Sequence, residues 1–553
     1  MRIPDDLTQR DTLYYETIRK CAVSRNDRIA FYRMMKRWFL TGSGKLERAR
    51  FNKLRPHADM LTSYLYSQDT TRFACMLPPH LIRPWVEHLQ VVRDEFAYLW
   101  HESDSDKQFG EALDWSIPYG ATLLKILASP TPRIRYLHPG QFGVIQEDCP
   151  DLDDQEAMVH WFVIGESQLR RQLGQGARGQ AIFQALQTTA TPGPSTPPEE
   201  SMPPGMGAVV LSQTTPTIQG NVVIGALHGV PEARVDEPTS ELAELWIWDD
   251  DAMDYRCITF SEAIGQVLWE RKGKDLVEFG EHPFILVAPY GDPEYLWGFS
   301  EMENLLSLQA WRDTRMGQID RLLAKQLKRT LSFSNWPGIT EEKAEAMRQS
   351  GLLTNSSPMA KVEDITAPMP PDAFAEIKEI DRMFGEAEGL PSVLQGEGDP
   401  SARAGNQVGA MAKFAGTRTR KRAAVTQDIL EEAATKFLRV FRRVDDTVYV
   451  VPGAQGQPDQ EFLLAQLPAT LTMKVAAHSS TPLLAEETQS KAERLNKAHA
   501  IDLETYVEMV DPPMADSLRL KARAIQHAQA EAAKEKFDKT MKIQELKATK
   551  RGR

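Results

Sequence analysis

From Glu301 to Arg329 the chain runs without a proline and with one glycine, Gly317. At roughly 1.5 Å per residue, a helix of that length is a rod on the order of 40 Å long, which few folds accommodate. Ser300 stands where an N-cap belongs and Glu303 follows three residues on, the spacing of a capping box. Met302, Leu305, Leu306, Met316, Ile319, Leu323 and Leu327 make one broad apolar face, and Leu308, Trp311 and Leu322 make another. A helix apolar on two sides needs neighbours on both flanks. Its polar remainder carries Arg312, Arg315, Arg321, Lys325 and Lys328, alternating with Asp313 and Asp320; by themselves such charges read as a solvated face.

The rod is entered through an apolar strand, HPFILVAPYG from His282 to Gly291, and a glycine turn, Trp297-Gly298-Phe299-Ser300. Beyond it, residues 330–371 read as strand-like LSFSN, a short helix from Thr340 to Gln349, and strand-like AKVEDI. A second helix, Asp372 to about Glu388, brings Phe374, Ile377, Ile380 and Phe384 onto one face. The order is rod, small α/β module, rod. Next come GLPSVLQG and GEGDPSARAGNQVGAMAKFA, where glycines and a proline give way to a helix expected from about Ala404 through Val444. On it Val425, Ile429, Ala433, Phe437 and Phe441 recur at steps of four, and Gly409 and Gly416 are places to kink. Lys413, Arg418, Arg420, Lys421 and Arg422 form a basic cluster without an intervening acid, open to a subunit-interface or solvated role and to DNA contact.

The first 115 residues read as mainly helical, with Pro78 and Pro79 opening a long helix from Leu81 through Trp100. From Thr122 to about Leu169 short β-like runs (TLLKILA, IRYLH, FGVIQ, VHWFVI) predict a small sheet packed on the helices. Between Thr191 and Gly205 six prolines predict a flexible loop. In ELWIWDDDAMDYRCITF the acids Asp249, Asp250 and Asp251 fit a hairpin turn better than a calcium loop, whose glycine and distal glutamate are missing. Leu471 to Val475 reads as a strand, and helix resumes from Ala485. Residues 519–553 hold 11 basic and 4 acidic side chains, open both to a solubilising tail and to a place near nucleic acid.

Rod, module and rod, entered through the P-Y-G and G-F-S turns and followed by the Gly389-Leu390-Pro391 stretch, resemble the portal proteins of tailed bacteriophages. The resemblance rests on the order of features over roughly residues 30 to 520. It implies an α+β, predominantly helical fold with wing, stem, clip and crown regions. The wing-like α+β region takes 1–297, with the flexible Pro-rich loop near 191–205 as a departure from the family. Stem helix 1 takes 298–329, the clip 330–371, stem helix 2 372–388, and a tunnel loop 389–404. A long wing helix and returning strand occupy 405–480, and a crown-like helical region with the basic tail 481–553. The resemblance further implies a homo-oligomeric ring of about twelve subunits at a capsid vertex of the virion, assembled in the host cytoplasm. Its partners are the terminase large subunit, a head–tail adaptor, the major capsid or scaffolding protein, and double-stranded DNA passing through. Gln395, Arg403, Arg312, Arg315, Lys325 and Lys328 become channel candidates, with Lys413, Arg418, Arg420, Lys421 and Arg422 as interface or DNA contacts. The alternative is a non-portal virion scaffold or adaptor ring.

At 553 residues the chain predicts three or more regions. Its net charge of −12 argues against gripping nucleic acid over a broad basic surface, though a conduit must avoid tight binding in any case. No apolar run reaches the roughly 18–20 residues of a membrane span, and the acidic start MRIPDDL argues against a secretion signal and for cytosolic synthesis. Cys21, Cys75, Cys149 and Cys257 show no CxxC spacing and read as reduced, mostly buried thiols. Gly42-Ser43-Gly44-Lys45 resembles the end of a phosphate loop, but Phe39 and Leu46 stand where glycine and Ser/Thr belong. His57, His80, His88, His101 and His138 form no metal motif. The expectation is a non-enzyme, with no catalytic, cofactor or metal site, that depends on an external packaging motor.

Overall fold

The computed structural model describes residues 2–4, 6–43, 51–67, 71–128, 131–173, 177–189, 239–328, 331–336, 338–350, 359, 361–365, 372–388, 417–451, 460–475, 491–498, 500–501 and 506. The Pro-rich loop, the 389–404 loop, Gly409, Gly416 and the basic tail lie outside these residues. Helices hold 53% of the described residues and strands 22%, so the fold is mixed α and β with helix predominant. None of the described helices is long and apolar enough to cross a membrane.

Helix α1 (Leu7–Thr41) buries Tyr14, Ile18, Cys21, Arg25, Arg28, Tyr32, Met35 and Phe39, one stripe repeating every three or four positions. Gly42 ends it in the left-handed conformation (φ 68°), its N–H bonded to the Trp38 carbonyl. The phosphate-loop-like Gly42-Ser43 is therefore a helix C-cap. Next come α2 (Leu54–Leu65), β1 (Phe73–Met76) and the single turn α3 (Pro79–Ile82). The expected long helix from Pro79 is interrupted: Pro84 has no N–H to donate, a 3-10 turn covers Arg83–Trp85, and α4 (Val86–Glu102) starts afresh. α5 (Ser105–Tyr119) completes the N-terminal helices.

The β-like runs that follow build two sheets rather than one. β2 (Thr122–Leu127) and β3 (Arg133–Leu137) belong to the first; β4 (Phe142–Val144) and β5 (Ala157–Gly165) begin the second. Helices α6 (Glu166–Leu173) and α7 (Ala177–Thr189) intervene before β6 (Thr239–Asp249), β7 (Asp254–Ser261) and β8 (Gln266–Lys272). The larger sheet is an antiparallel meander in the order β4-β5-β6-β7-β8. Its β6–β7 hairpin turns at Asp250 and Asp251, as the acid run predicts, while Asp249 is buried against the Arg256 guanidinium at 2.5 Å. The apolar strand before the rod, β9 (Phe284–Val287), pairs with β2 and gives the order β3-β2-β9.

The rod is α8 (Glu303–Lys328). The module after it is β10 (Leu331–Ser334), α9 (Glu341–Ser350) and β11 (Lys361–Asp364), its strands antiparallel, and α10 (Ala373–Glu388) returns to the body. Helix α11 (Thr417–Val444) passes through the body and buries Leu430, Ala433, Ala434, Phe437, Leu438 and Phe441. Phe437 meets the rings of Phe96 and Trp100 edge-on at 5.6 and 5.4 Å. A hairpin of β12 (Val448–Val451) and β13 (Gln460–Leu463) leads to β14 (Thr472–Val475), which pairs antiparallel with β1. The returning strand predicted at Leu471–Val475 thus ties the last third of the chain to the first. Residues 491–497 are helical, within the helical stretch predicted after Ala485. Cys21 and Cys257 are buried, Cys75 and Cys149 partly so, and all four are free thiols.

Candidate functional site

Helices α8 and α10 form an antiparallel hairpin: Arg312 Nε meets Asp381 Oδ1 at 2.8 Å and Arg315 Nε meets Glu376 Oε1 at 2.8 Å, the partner number falling as the first rises. Ile377, Ile380 and Phe384 are buried on α10, as are Leu305 and Ile319 on α8 and Met302 just before it. Phe374, expected on the same inward face, is 53% exposed on the first turn of α10, while its neighbour Ala373 packs against the core.

The inner half of the hairpin is rooted by polar contacts. The fully buried Gln309 donates to the Phe51 carbonyl at 2.9 Å and accepts from the Lys53 N–H at 3.2 Å. Lys53 Nζ reaches Asp381 at 2.7 Å, and the Arg312 guanidinium lies 4.7 Å above the Phe51 ring. Burial favours the neutral Asp381 carboxyl, but hydrogen bonds from Arg312 and Lys53 outweigh it and hold the pKa below the usual carboxylate range.

The turn before α8 is clamped as well. Trp297 Nε1 donates to Glu147 at 2.9 Å, while the Arg28 guanidinium sits 3.4 Å over the Trp297 ring and 2.8 Å from the same carboxylate. Gly298 (φ 57°) presses on the Tyr290 carbonyl, where a Cβ would stand 2.5 Å away, so the G-F-S turn requires glycine. Ser300 Oγ accepts from the Met302 N–H at 3.2 Å, one residue earlier than a capping box requires, and donates to the Ile117 carbonyl. From α11, Arg422 reaches Glu301 at 2.9 Å and stacks 4.4 Å from the Tyr290 ring.

Of the residues singled out from the sequence, Arg312 and Arg422 are buried, 7% and 6% exposed, and engaged within the chain. They are struts of the hairpin root and do not present a free cation. Arg315 is partly exposed and paired; Lys421 is exposed. Lys325 and Lys328 lie on α8, and Arg418 and Arg420 in the first turn of α11, with their side chains outside the described residues. Gln395, Arg403 and Lys413 lie outside them entirely. The root residues that the sequence reading missed are Lys53, Gln309, Asp381 and Glu301. The one available signal was Gln309, a lone amide beside Leu305, Leu306 and Leu308.

The outer half of the hairpin has a different character. Leu323 (37%) and Leu327 (87%) are exposed there on α8, as are Met359 and Ile365 in the module; Trp311 (38%) is exposed nearer the root. Among residues 331–365 whose side chains are described, none that is apolar is buried.

A cleft of about 470 Å³ opens along α11, lined by Asp153, Glu281, Glu432, Lys436, Arg439 and Lys474 among others. His282 Nδ1 accepts from the Phe284 N–H at 3.3 Å, which leaves the proton on Nε2, 2.8 Å from Asp153. Burial lowers the His282 pKa to about 4, so the ring is neutral; its hydrogen bond, with help from Lys436, keeps the Asp153 carboxyl far below its ordinary pKa. Lys436 also meets Glu432 at 2.9 Å, and Arg439 pairs with Glu281. These paired charges brace α11 against the β9 strand. No protein-family model matches the chain, and no curated protein matches it.

Proposed function

We propose that this chain is the subunit of a phage portal: about twelve copies close a heterologous ring at a capsid vertex, through which double-stranded DNA is packaged and later leaves. What carries this reading is the α8–α10 hairpin, rooted by ion pairs in an α+β body, bearing a small strand-helix-strand module at its outer end, and left apolar on its outer flank. An apolar flank that one chain does not cover suits side-by-side packing of neighbouring stems. In this reading the module docks the terminase large subunit during packaging and the head–tail adaptor afterwards. The body meets the capsid or scaffolding protein, and the segment around Gln395 to Arg403 narrows the channel. The chain supplies a conduit, and the docked motor supplies the chemistry.

Native mass spectrometry of the full chain, followed by negative-stain imaging, tests the proposal. Closed rings of about a dozen subunits with an open axial hole are expected; a closed ring without a channel favours the adaptor or scaffold alternative, and a chain that stays monomeric with capsid components present overturns the ring. Deleting Gly396–Ala402 is expected to impair packaging or retention while rings still form. Normal DNA content in particles carrying that deletion refutes the tunnel-loop assignment.

A further inference from the structure

The three-stranded sheet β3-β2-β9 is charged differently at its two edges. On β3, Arg133 and Arg135 flank the buried Ile134, so both arginines lie on one face of the strand, and both are exposed. Arg135 stands directly opposite Lys125 in the β2–β3 ladder, and like charges in that position weaken a sheet. Lys125 is answered within the chain by Glu244 at 2.6 Å, whereas neither arginine makes an ion pair or hydrogen bond with a described residue. The β3 edge is closed to a further strand at Tyr136, whose N–H donates to Gln108 Oε1 at 2.8 Å. A partner therefore meets the arginine side chains rather than the backbone.

At the β9 edge the charge reverses. The Pro283 carbonyl accepts from Ile126 on β2, so the next carbonyl, that of Phe284, points away from the sheet, and Lys436 of α11 donates to it at 3.3 Å. The cleft of about 470 Å³ opens along α11 at this edge. Its cations Lys436, Arg439 and Lys474 each lie against a carboxylate, those of Glu432, Glu281 and Glu431. Asp428 in the same lining is exposed and meets no cation among the described residues. The loop that brings Asp153 to the cleft, residues 147–156, holds six acids and no base. Glu147 is bound by Arg28, and Asp153 by His282 and Lys436. Asp154 is exposed and, like Asp428, meets no cation among the described residues. Sites for small molecules of this volume are lined mostly by apolar groups; this lining is charged and suits cationic side chains.

A heterologous ring needs two different faces on each subunit, one for the neighbour on either side. Opposite edges of one sheet, one with unmatched arginines and one with unmatched carboxylates, supply such a pair. Two residues apart on a strand, the arginines stand about 7 Å from each other, so a single edge presents both.

We propose that Arg133 and Arg135 of one subunit meet the acidic cleft of the next copy, at Asp154 and Asp428. The inference rests on the ring reading and names the faces of the body that close it. Two charge-reversed chains test it: Arg133→Glu with Arg135→Glu, and Asp154→Lys with Asp428→Lys. All four positions are exposed, so each variant is expected to melt as the wild type does. Alone, each sets like charges across every junction and should raise the concentration at which rings form, read by native mass spectrometry, by at least about tenfold. Mixed in equal amounts, the two variants again join opposite charges at every junction, and rings of alternating subunits should return. If either variant alone forms rings at the wild-type concentration, or if the mixture of folded variants stays unassembled, this proposal is overturned and the portal reading stands. Should a reversed chain melt early, Arg133→Gln with Arg135→Gln and Asp154→Asn with Asp428→Asn replace the pair; each should weaken assembly and flatten its salt dependence, and unchanged assembly overturns the proposal. A wild-type chain that never associates with itself overturns both readings.

Discussion

Asp381→Asn removes the charge on which both Arg312 and Lys53 converge at the hairpin root, while changing the side chain's volume little. Arg312 keeps only 9% of its side chain exposed and Asp381 keeps 32%. Stranding one partner of a buried pair costs about 3–5 kcal/mol; because Asp381 is a third exposed, water and salt screen part of this, and about 2–3 kcal/mol is the working figure. The loss falls on local opening of the hairpin, so hydrogen exchange of α10 and of the inner half of α8 is the suitable assay. Exchange there is expected to quicken by roughly 30–150-fold, since each 1.4 kcal/mol is tenfold, while the β5–β6–β7 sheet is unaffected. Arg312→Met with Asp381→Leu restores most of the protection, because an apolar pair strands no charge. Exchange within about twofold of wild type in Asp381→Asn, or a double variant worse than the single, refutes the idea that these ion pairs root the hairpin.

Three further outcomes follow from the body. Gly143→Ala places a Cβ 2.4 Å from the Cys21 carbonyl and 3.0 Å from the Trp161 ring, where α1 crosses β4, and should cost about 1–3 kcal/mol, read as a lowered melting temperature; an unchanged midpoint means α1 shifts freely on the sheet. Lys125→Met strands the largely enclosed Glu244 carboxylate, 15% exposed, which the buried Lys125 Nζ meets at 2.6 Å; a loss of about 3 kcal/mol is expected, and adding Glu244→Leu should return most of it. His57, His160 and His282 have pKa values lowered by burial to about 4, 3 and 4, so the native state holds them neutral. The unfolded chain takes up protons below pH 6.5, so stability is fully present above pH 6.5 and falls on acidification toward pH 4, by on the order of 1 kcal/mol per group per pH unit. A melting midpoint that is flat between pH 7 and pH 5 contradicts this.

The elements around the rod were legible in the sequence because each is set by local rules. The proline-free run of α8, the period of Ile377, Ile380 and Phe384 on α10, and the LSFSN and AKVEDI runs that became β10 and β11 need no knowledge of distant residues. What failed depended on tertiary partners. Nothing local distinguishes Arg312, bound by Asp381 and Phe51, from Arg315, which keeps part of its surface in water; the charges alternate alike along the helix. The sheet count failed for the same reason: VHWFVI pairs with β6, some 80 residues away across α6, α7 and the Pro-rich stretch, and register over that separation has no sequence signal. The net charge of −12 also concealed a stretch of +8 from Arg28 to Arg55, because a sum over 553 residues erases where the charges lie.

The two halves of α8 are stabilised by different means. The inner half is fixed by Gln309, Arg312 and buried apolar contacts within one chain. Beyond Ile319 the helix has exposed Leu323 and Leu327, and α10, which ends its pairing near Arg315, no longer covers it. A helical segment of about ten residues without packing is marginal in water, since most helical stability in proteins comes from a buried face. Ring closure, in the proposed reading, supplies that face, so ordering of the outer stem and assembly are one event linked by mass action. Hydrogen exchange at residues 319–328 should therefore be fast in the unassembled chain and slow by at least tenfold in the ring, whereas residues 305–312 are protected in both. Leu323→Ser with Leu327→Ser should weaken assembly and leave exchange at 305–312 unchanged. Equal protection of 319–328 in both states would mean that the outer stem is stable by itself, and that its exposed leucines serve some contact other than the neighbouring stem.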